Sequence, residues 1–240
     1  MVLEMKKTLV LILASISFGL PAITPGQRMT KPTTKIHHIA KDFPITELDN
    51  STWKRSSDLK VGTYWNGTEA PAGRGFVVRM LWSDSGLYIR FDATQAEPLV
   101  VNDKPVLTKK TMKLWERDVC ELFLAPDKNE PRRYPEFEIA PTGEWLDLVV
   151  DWRKEEPRDW EYLSGMKTAA RIGKDKVTMA FKIPWKAFGG RPSGGDVWLG
   201  NLYRAVGSGD TRGYLAWSPT MTKEPQFHVP EKFGEFVFVK

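Results

Sequence analysis

The sequence predicts an all-β protein, an antiparallel two-sheet β-sandwich of about eleven strands with one or two short helical turns. Short runs rich in β-branched and aromatic residues recur along the chain, and Gly, Pro, Asn and Asp separate them. The period of an amphipathic helix is almost absent. Several breaks have the composition of tight turns, and consecutive hairpins produce an antiparallel meander.

The strands follow from these runs in order along the chain. Apolar and polar residues alternate most clearly at 87–91 and 176–183, which indicates strands with one buried side. Hairpin turns are expected at 83–86, 141–143 and 173–175, and helical turns near 109–116 and 184–188. The candidate strands are residues 59–65, 75–82, 87–93, 118–125, 134–140, 144–152, 166–172, 177–183, 197–206, 213–218 and 235–239.

The amino terminus has the pattern of a secretory signal peptide. Lys6 and Lys7 precede an apolar run over residues 8–20, which Pro21 stops. We expect residues 1–27 to direct the chain to secretion or to a periplasm; the alternative is a buried first helix. Residues 28–45 are rich in Thr, Lys, Pro and His, which predicts a linker. The folded domain is then residues 46–240.

Composition limits the classes of partner. The chain has 240 residues, of which 41% are hydrophobic and 27% charged, as expected for a folded protein. Its 35 basic and 30 acidic residues are interleaved, so no nucleic-acid partner is expected. No apolar run beyond the signal peptide is long enough for a membrane span. The single cysteine, Cys120, is expected to be buried and inert. No feature of the sequence indicates the oligomeric state.

Six blocks of residues carry a family resemblance. They are WERDVCELFL at 115–124, YPEFEIAPTG at 134–143, IPWKAF at 183–188, NLYR at 201–204, GYLAWSP at 213–219 and FHVPEKFG at 227–234. In this order they resemble the family 9 carbohydrate-binding modules, which are relatives of the DOMON β-sandwiches. The resemblance extends over residues 46–240, and six ordered blocks are more specific than any single one.

The resemblance implies non-catalytic binding of a sugar stacked between two Trp side chains, in some members at the reducing end of a glycan. Trp115 and Trp217 match the two tryptophans. Glu121 matches a glutamate that accepts hydrogen bonds from sugar hydroxyls, and Asp118 belongs to the same Trp-x-x-Asp-x-x-Glu pattern. Arg204 is expected to contact hydroxyls as well.

Glu138 is the main departure from the family pattern. It stands where the family has a sugar-contacting Arg, so the familiar form of reducing-end recognition is in question, and Glu138 is itself a candidate ligand-binding residue. Structural calcium, present in some members, is the one cofactor that the resemblance suggests. Oxygen-bearing side chains that could serve it are scattered, so no metal ligand is assigned.

Two alternative functions stay open. A haem-binding, electron-transfer domain of the DOMON type would need axial Met or His ligands, and the spacing of these residues selects no pocket. An accessory glycan-active enzyme would need two carboxylates that flank a scissile bond. Glu136 and Glu138 share one strand face, for which solvated or ion-paired carboxylates are the simpler interpretation. Trp82, Trp185 and Trp198 are expected in the core, whereas others, including Trp160, stay unassigned.

Overall fold

Strands dominate the computed structural model, which describes residues 31–240. The expected signal peptide, residues 1–27, lies outside the described residues. Short 3-10 helices are Ser51–Arg55, Leu114–Glu116, Trp185–Phe188, Gly209–Thr211 and Pro230–Lys232. The strands are β1 (Thr33–His38), β2 (Leu59–Val61), β3 (Phe76–Trp82), β4 (Gly86–Thr94), β5 (Val119–Ala125), β6 (Arg133–Ile139), β7 (Trp145–Asp151), β8 (Arg158–Asp159), β9 (Lys167–Ile172), β10 (Lys176–Pro184), β11 (Val197–Val206), β12 (Gly213–Ala216) and β13 (Gly234–Val239).

The strands form one mixed sheet of 13 strands. Its order is β8-β7-β6-β5-β11-β13-β1-β3-β4-β10-β9, with β12 paired to β11 and β2 paired to β3. Strand β1 runs parallel to both of its neighbours, β13 and β3, and so joins the two halves into a single sheet. The all-β prediction is therefore confirmed, whereas the separate antiparallel sheets of a sandwich are not.

The sheet curls around a large apolar core. Strands β6 and β10 lie near opposite ends of the strand order, yet the rings of Phe137 and Phe181 are 6.2 Å apart. Contact between such distant strands requires the two halves to face each other. Trp82, Trp185 and Trp198 pack in this core, as the sequence predicted, and Cys120 is fully buried there as a free thiol.

A second apolar cluster covers the other face of β5, β6, β7 and β11. Along β5, Leu122 faces the main core whereas Phe123 faces outward, because successive side chains of a strand alternate. Tyr134 and Tyr203 pack against Phe123, and Phe233 packs against Tyr134. This outward face is only partly covered, and the candidate site lies on it.

Every candidate strand from residue 59 onward has a counterpart in the sheet, with bounds that differ by a few residues. Two strands were missed. Strand β8 has only two residues, too few for a pattern. Strand β1 lies within residues 28–45, and the prediction of a linker there is wrong: Ile36 is fully buried, and Phe43 and Ile45 are buried as well. Within the described residues, no helix has the length and hydropathy of a membrane-spanning segment.

The position of β1 gives a stability prediction. Ile36 is 0% exposed in the main core, so Ile36→Ala should lower the free energy of unfolding by about 2–5 kcal/mol. Urea unfolding of the two proteins measures this difference. The neighbouring Lys35 is exposed, and Lys35→Ala is the matched control. Equal stability of Ile36→Ala and the parent chain would contradict the central place of β1.

Candidate functional site

A cavity of about 640 Å³ lies on the outward face of β5 and β6, beside β12. Its floor includes Glu121 and Phe123 from β5 and Glu136 from β6. Further side chains come from the segments around β8 and β12 and from residues 225–228. An indentation that combines aromatic and a few polar side chains is the usual form of a small-molecule site.

Two tryptophans form one aromatic wall of the cavity. The rings of Trp115 and Trp160 are stacked, with centroids 6.0 Å apart and planes inclined by 30°. Lys113 has a left-handed backbone conformation (φ 59°) and starts the 3-10 helix Leu114–Glu116. That helix buries Leu114 and leaves Trp115 38% exposed. Tyr214 and Phe227 supply further aromatic surface, 5.9 Å from each other.

Three carboxyl groups lie together on the sheet face beneath these rings. Glu121 pairs with Glu138 across β5 and β6, and Glu136 lies two residues before Glu138 on the same face. Glu121 and Glu136 line the cavity, whereas Glu138 is fully buried beside them. Glu136 Oε2 and both carboxyl oxygens of Glu138 have no hydrogen-bond partner in the part of the chain that the structure describes.

Burial and mutual repulsion keep protons on this cluster. Burial raises the pKa of Glu136 to about 7. Burial and the charge of Glu136 hold the pKa of Glu121 well above its ordinary value. Burial and the charges of Glu121 and Glu136 likewise hold the pKa of Glu138 well above its ordinary value. Carboxyl groups this close cannot all ionise. The floor therefore offers both donors and acceptors at neutral pH.

Two arginines line the same cavity without neutralising the carboxyls. Among residues 31–240, neither Arg212 nor Arg158 has an oxygen of Glu121 or Glu136 within 4.0 Å. Arg212 donates to the backbone oxygens of Gly207 (2.7 Å) and Trp115 (2.6 Å), so it ties the segment before β12 to the tryptophan wall.

His228 completes the floor as a neutral imidazole. Trp152 Nε1 donates to the Tyr134 hydroxyl (3.2 Å), which leaves the hydroxyl proton free to donate to His228 Nδ1 (2.9 Å). His228 Nε2 lies 3.9 Å from Glu136 Oε2. Burial lowers the pKa of His228 to about 4, and nearby Arg158 lowers it as well, so the ring is uncharged at neutral pH.

Lys110 holds the segment that carries Trp160. Its ammonium group lies 2.7 Å from the Asp147 backbone oxygen, 3.0 Å from that of Trp160 and 2.5 Å from that of Tyr162. The Asp147 carboxylate, which is fully buried, adds an ion pair of 2.8 Å. One ammonium group thus fixes the backbone at Trp160 and just after it, at Tyr162, to β7.

The structure brings together only some of the side chains predicted from sequence. Trp115 and Glu121 line the cavity, and Glu138 lies beside Glu121. Trp217 does not line it: its ring packs on Phe236 with centroids 5.0 Å apart. Ligand contact by Trp217 stays a prediction, but the structure pairs Trp115 with Trp160 instead.

Asp118 and Arg204 have structural partners. Asp118 is 1% exposed and accepts a hydrogen bond of 2.8 Å from the Gly207 backbone N–H. Arg204 donates to the backbone oxygens of Arg74 (2.6 Å) and Thr94 (2.7 Å). Both side chains therefore join loops to the sheet, and neither lines the cavity.

Possible metal ligands do not cluster within the part of the chain that the structure describes. In residues 31–240 no three His, Cys, Asp or Glu side chains form a group that could hold a metal ion. The calcium that the resemblance suggested stays a prediction. Met80, Met166 and Met179 pack in the main core rather than around a cavity.

Comparison with known families assigns the chain. Residues 46–240 match the family described as "Carbohydrate family 9 binding domain-like". The chain belongs to this family. The resemblance seen in the six sequence blocks is thereby confirmed for this family 9 module. A search of curated proteins with this chain found no match.

Solved structures share the fold of the family 9 module. A candidate carbohydrate-binding protein from Bacteroides uniformis has a TM-score of 0.70 at 20% identity, over 87% of this chain and 100% of that chain. A family 9 module from Caldicellulosiruptor kristjanssonii in complex with cellotriose has a TM-score of 0.58 at 14% identity, over 87% and 94%. The same kind of module in complex with glucose has 0.55 at 14%, over 85% and 95%.

The lysine contacts of the family 9 module predict a mutational effect. Lys110→Met should lower the free energy of unfolding by about 3–5 kcal/mol, because it leaves the buried Asp147 carboxylate without its ion-pair partner and with one hydrogen bond, from the Ser164 N–H. Backbone amides of residues 160–164 should also exchange hydrogen faster. The exposed neighbour Lys109 supplies the control, Lys109→Met. Denaturant unfolding and hydrogen exchange measure the two effects, and matching behaviour of both variants would refute the clamp.

The carboxyl cluster predicts how stability changes with pH. Unfolded glutamates lose their protons near pH 4.3, whereas the folded cluster keeps them longer, so the folded state binds more protons. The free energy of unfolding should therefore fall as the pH rises above about 4.3, and for Glu136 the fall should continue to about pH 7. Each group contributes at most about 1.4 kcal/mol per pH unit.

Glu138→Gln should flatten this pH dependence, because it removes one titrating group from the cluster. Denaturant unfolding at several pH values measures the slope. Glu155→Gln, at an exposed carboxyl that does not line the cavity, should leave the slope unchanged. If the cluster had ordinary glutamate pKa values, the parent chain, Glu138→Gln and Glu155→Gln would all show the same change of stability with pH.

Proposed function

We propose that the chain binds a neutral glycan in the 640 Å³ cavity and catalyses no reaction on it. A sugar ring lies against the wall formed by Trp115 and Trp160, and its hydroxyls reach Glu121 and Glu136. One observation carries this proposal: an aromatic wall and a floor of buried carboxyl groups share a single cavity. The apolar face of a sugar ring packs on flat aromatic surface, and its hydroxyls need polar partners.

The charges of the cavity suit hydroxyl groups. Arg212 favours the ionised form of Glu121, and Arg158 that of Glu136, although neither pair is in direct contact. A hydroxyl both accepts and donates a hydrogen bond. One hydroxyl between an arginine and a carboxylate would therefore satisfy both groups at once.

The solved structures of family 9 modules suggest which sugars to test first. Cellotriose and glucose are bound by the Caldicellulosiruptor modules, which share the fold at low identity. Glucose-containing oligosaccharides are therefore the first to test. In our proposal the sugar lies on the tryptophan pair rather than between two separated rings, because Trp115 and Trp160 already contact each other.

Binding fits the carboxyl groups better than hydrolysis does. A glycosidase needs two carboxyl groups that flank the scissile bond. Glu121, Glu136 and Glu138 all rise from one face of β5 and β6. This arrangement supports contact with one side of a sugar. Glu116, beside Trp115, is a further carboxyl that lines the cavity, and it is exposed and ion-paired with Lys113 at 3.5 Å.

Two finer parts of the proposal rest on the sequence. Secretion or delivery to a periplasm is proposed from the signal-peptide pattern of residues 1–27. Recognition of chain ends follows from the family resemblance, with Glu138 in place of the familiar Arg. Oligosaccharides with reduced ends test the second part: weaker binding than that of the native sugars would support it.

The tryptophan wall predicts which variants lose binding. Trp115→Ala and Trp160→Ala should each weaken binding by roughly thirtyfold, about 2 kcal/mol, because a central aromatic contact is removed. Isothermal titration calorimetry with cello-, xylo- and manno-oligosaccharides measures the affinity.

Trp217→Phe is the matched control, since Trp217 packs on Phe236 outside the cavity. This variant should keep the parent affinity and a near-parent melting temperature. Loss of binding in Trp217→Phe alone would favour the tryptophan predicted from sequence and contradict the cavity.

A further inference from the structure

A second cavity of about 500 Å³ adjoins the first. It is lined by Tyr64, Trp65, Arg74, Glu97 and Asp210 among others. Arg212 lines both cavities, so the two adjoin at this side chain. The proposed sugar site does not use this second space.

A row of aromatic rings connects the two cavities. Phe227 and Tyr214 line the first cavity, with ring centroids 5.9 Å apart. Tyr214 is 6.1 Å from Trp65, and Trp65 is 6.1 Å from Tyr64 in the second cavity. The aromatic surface that would receive a sugar therefore continues past Arg212.

The segment that carries Trp65 is fixed to the sheet beside the first cavity. The Trp65 backbone N–H donates to the Tyr214 backbone oxygen (2.9 Å), and the Trp65 backbone oxygen accepts from the Met221 backbone N–H (2.8 Å). Trp65 Nε1 donates to the Thr222 backbone oxygen (3.2 Å). A surface held in place before binding costs little ordering entropy when a ligand arrives.

The charges of the second cavity are balanced. Arg74 pairs with Glu97 at 2.8 Å and donates to the Tyr64 hydroxyl at 2.9 Å. Asp210 and Arg212 add one charge of each sign. Two positive and two negative groups favour a neutral, hydroxyl-rich ligand over an ion of either sign.

We propose that the second cavity is a further subsite for the same glycan. A chain whose first sugar occupies the cavity of Trp115 and Trp160 continues past Arg212 and Tyr214, and its next neutral sugars lie on Trp65 and Tyr64. This inference rests on the proposed function, because the first cavity must hold the first sugar. The occupant is the remainder of one oligosaccharide, and the natural ligand is a chain rather than a single sugar.

Affinity as a function of chain length tests the subsite. The full folded chain is titrated with the monosaccharide, the disaccharide and longer members, through the hexasaccharide, of each series that binds. In the parent protein, affinity should rise with length as the chain reaches Trp65. Trp65→Ala should weaken binding of the long members by about three- to tenfold and leave the short members unchanged.

A second variant guards against loss of folding in Trp65→Ala. Ala72 is exposed and lines the second cavity, so Ala72→Arg would obstruct the cavity without removing a packed side chain. It should reproduce the loss for long members alone. Thermal unfolding confirms that each variant is folded.

The outcomes separate the two proposals. Tighter binding of long members that both variants abolish supports the subsite. Binding of short members with no gain from length, or a gain that survives both variants, overturns the subsite and leaves the proposed function standing. Absence of binding by every member of every series overturns the proposed function, and the subsite with it.

Discussion

Three carboxyl groups buried on one sheet face are the constraint on which the rest of the site depends. Burying Glu121, Glu136 and Glu138 next to each other opposes folding, because a carboxyl group loses its hydration and repels its neighbours. Apolar side chains would pack on the same face without this cost. Glu121 and Glu136 line the cavity, so under the proposed function a hydroxyl-rich ligand would offer hydrogen bonds to the part of the cluster that faces it. The surrounding polar contacts, such as the Lys110 ammonium and the Tyr134 to His228 chain, hold the walls around that floor.

The curled sheet determines where such a floor can exist. Because β1 joins β13 to β3, the two halves close on one apolar core and leave the outward face of β5, β6 and β11 available. Successive side chains of these strands point alternately to the main core and to the cavity, so the position of a residue along β5 decides which of the two it faces. Leu122 contributes to stability, and its neighbours Glu121 and Phe123 form the site.

Sequence patterns predicted most of the fold and a smaller part of the site. The strands from residue 59 onward follow from alternation and turn residues, which are local signals. Strand β1 was missed because its polar composition, TTKIHH, has one fully buried residue, and its pairing with β13 joins opposite ends of the chain. Trp115 and Glu121 were found through a motif. Trp160 follows a two-residue strand and reaches the cavity through the Lys110 contacts, which no local pattern encodes. Arg204 was predicted as a binding residue from sequence, and its hydrogen bonds to the backbone oxygens of Arg74 and Thr94 are long-range contacts that no local pattern encodes.

The protons held by the carboxyl floor also affect how binding would be observed. A sugar hydroxyl that donates to Glu136 favours the ionised form of that group, whose pKa near 7 leaves it partly protonated at neutral pH. Association would then release part of a proton to the solution. The heat measured in a calorimeter would include the ionisation enthalpy of the buffer, so apparent enthalpies would differ between phosphate and Tris while the affinity at a fixed pH stayed the same. Under the proposed function, glycan binding would thus be coupled to proton release from this cluster.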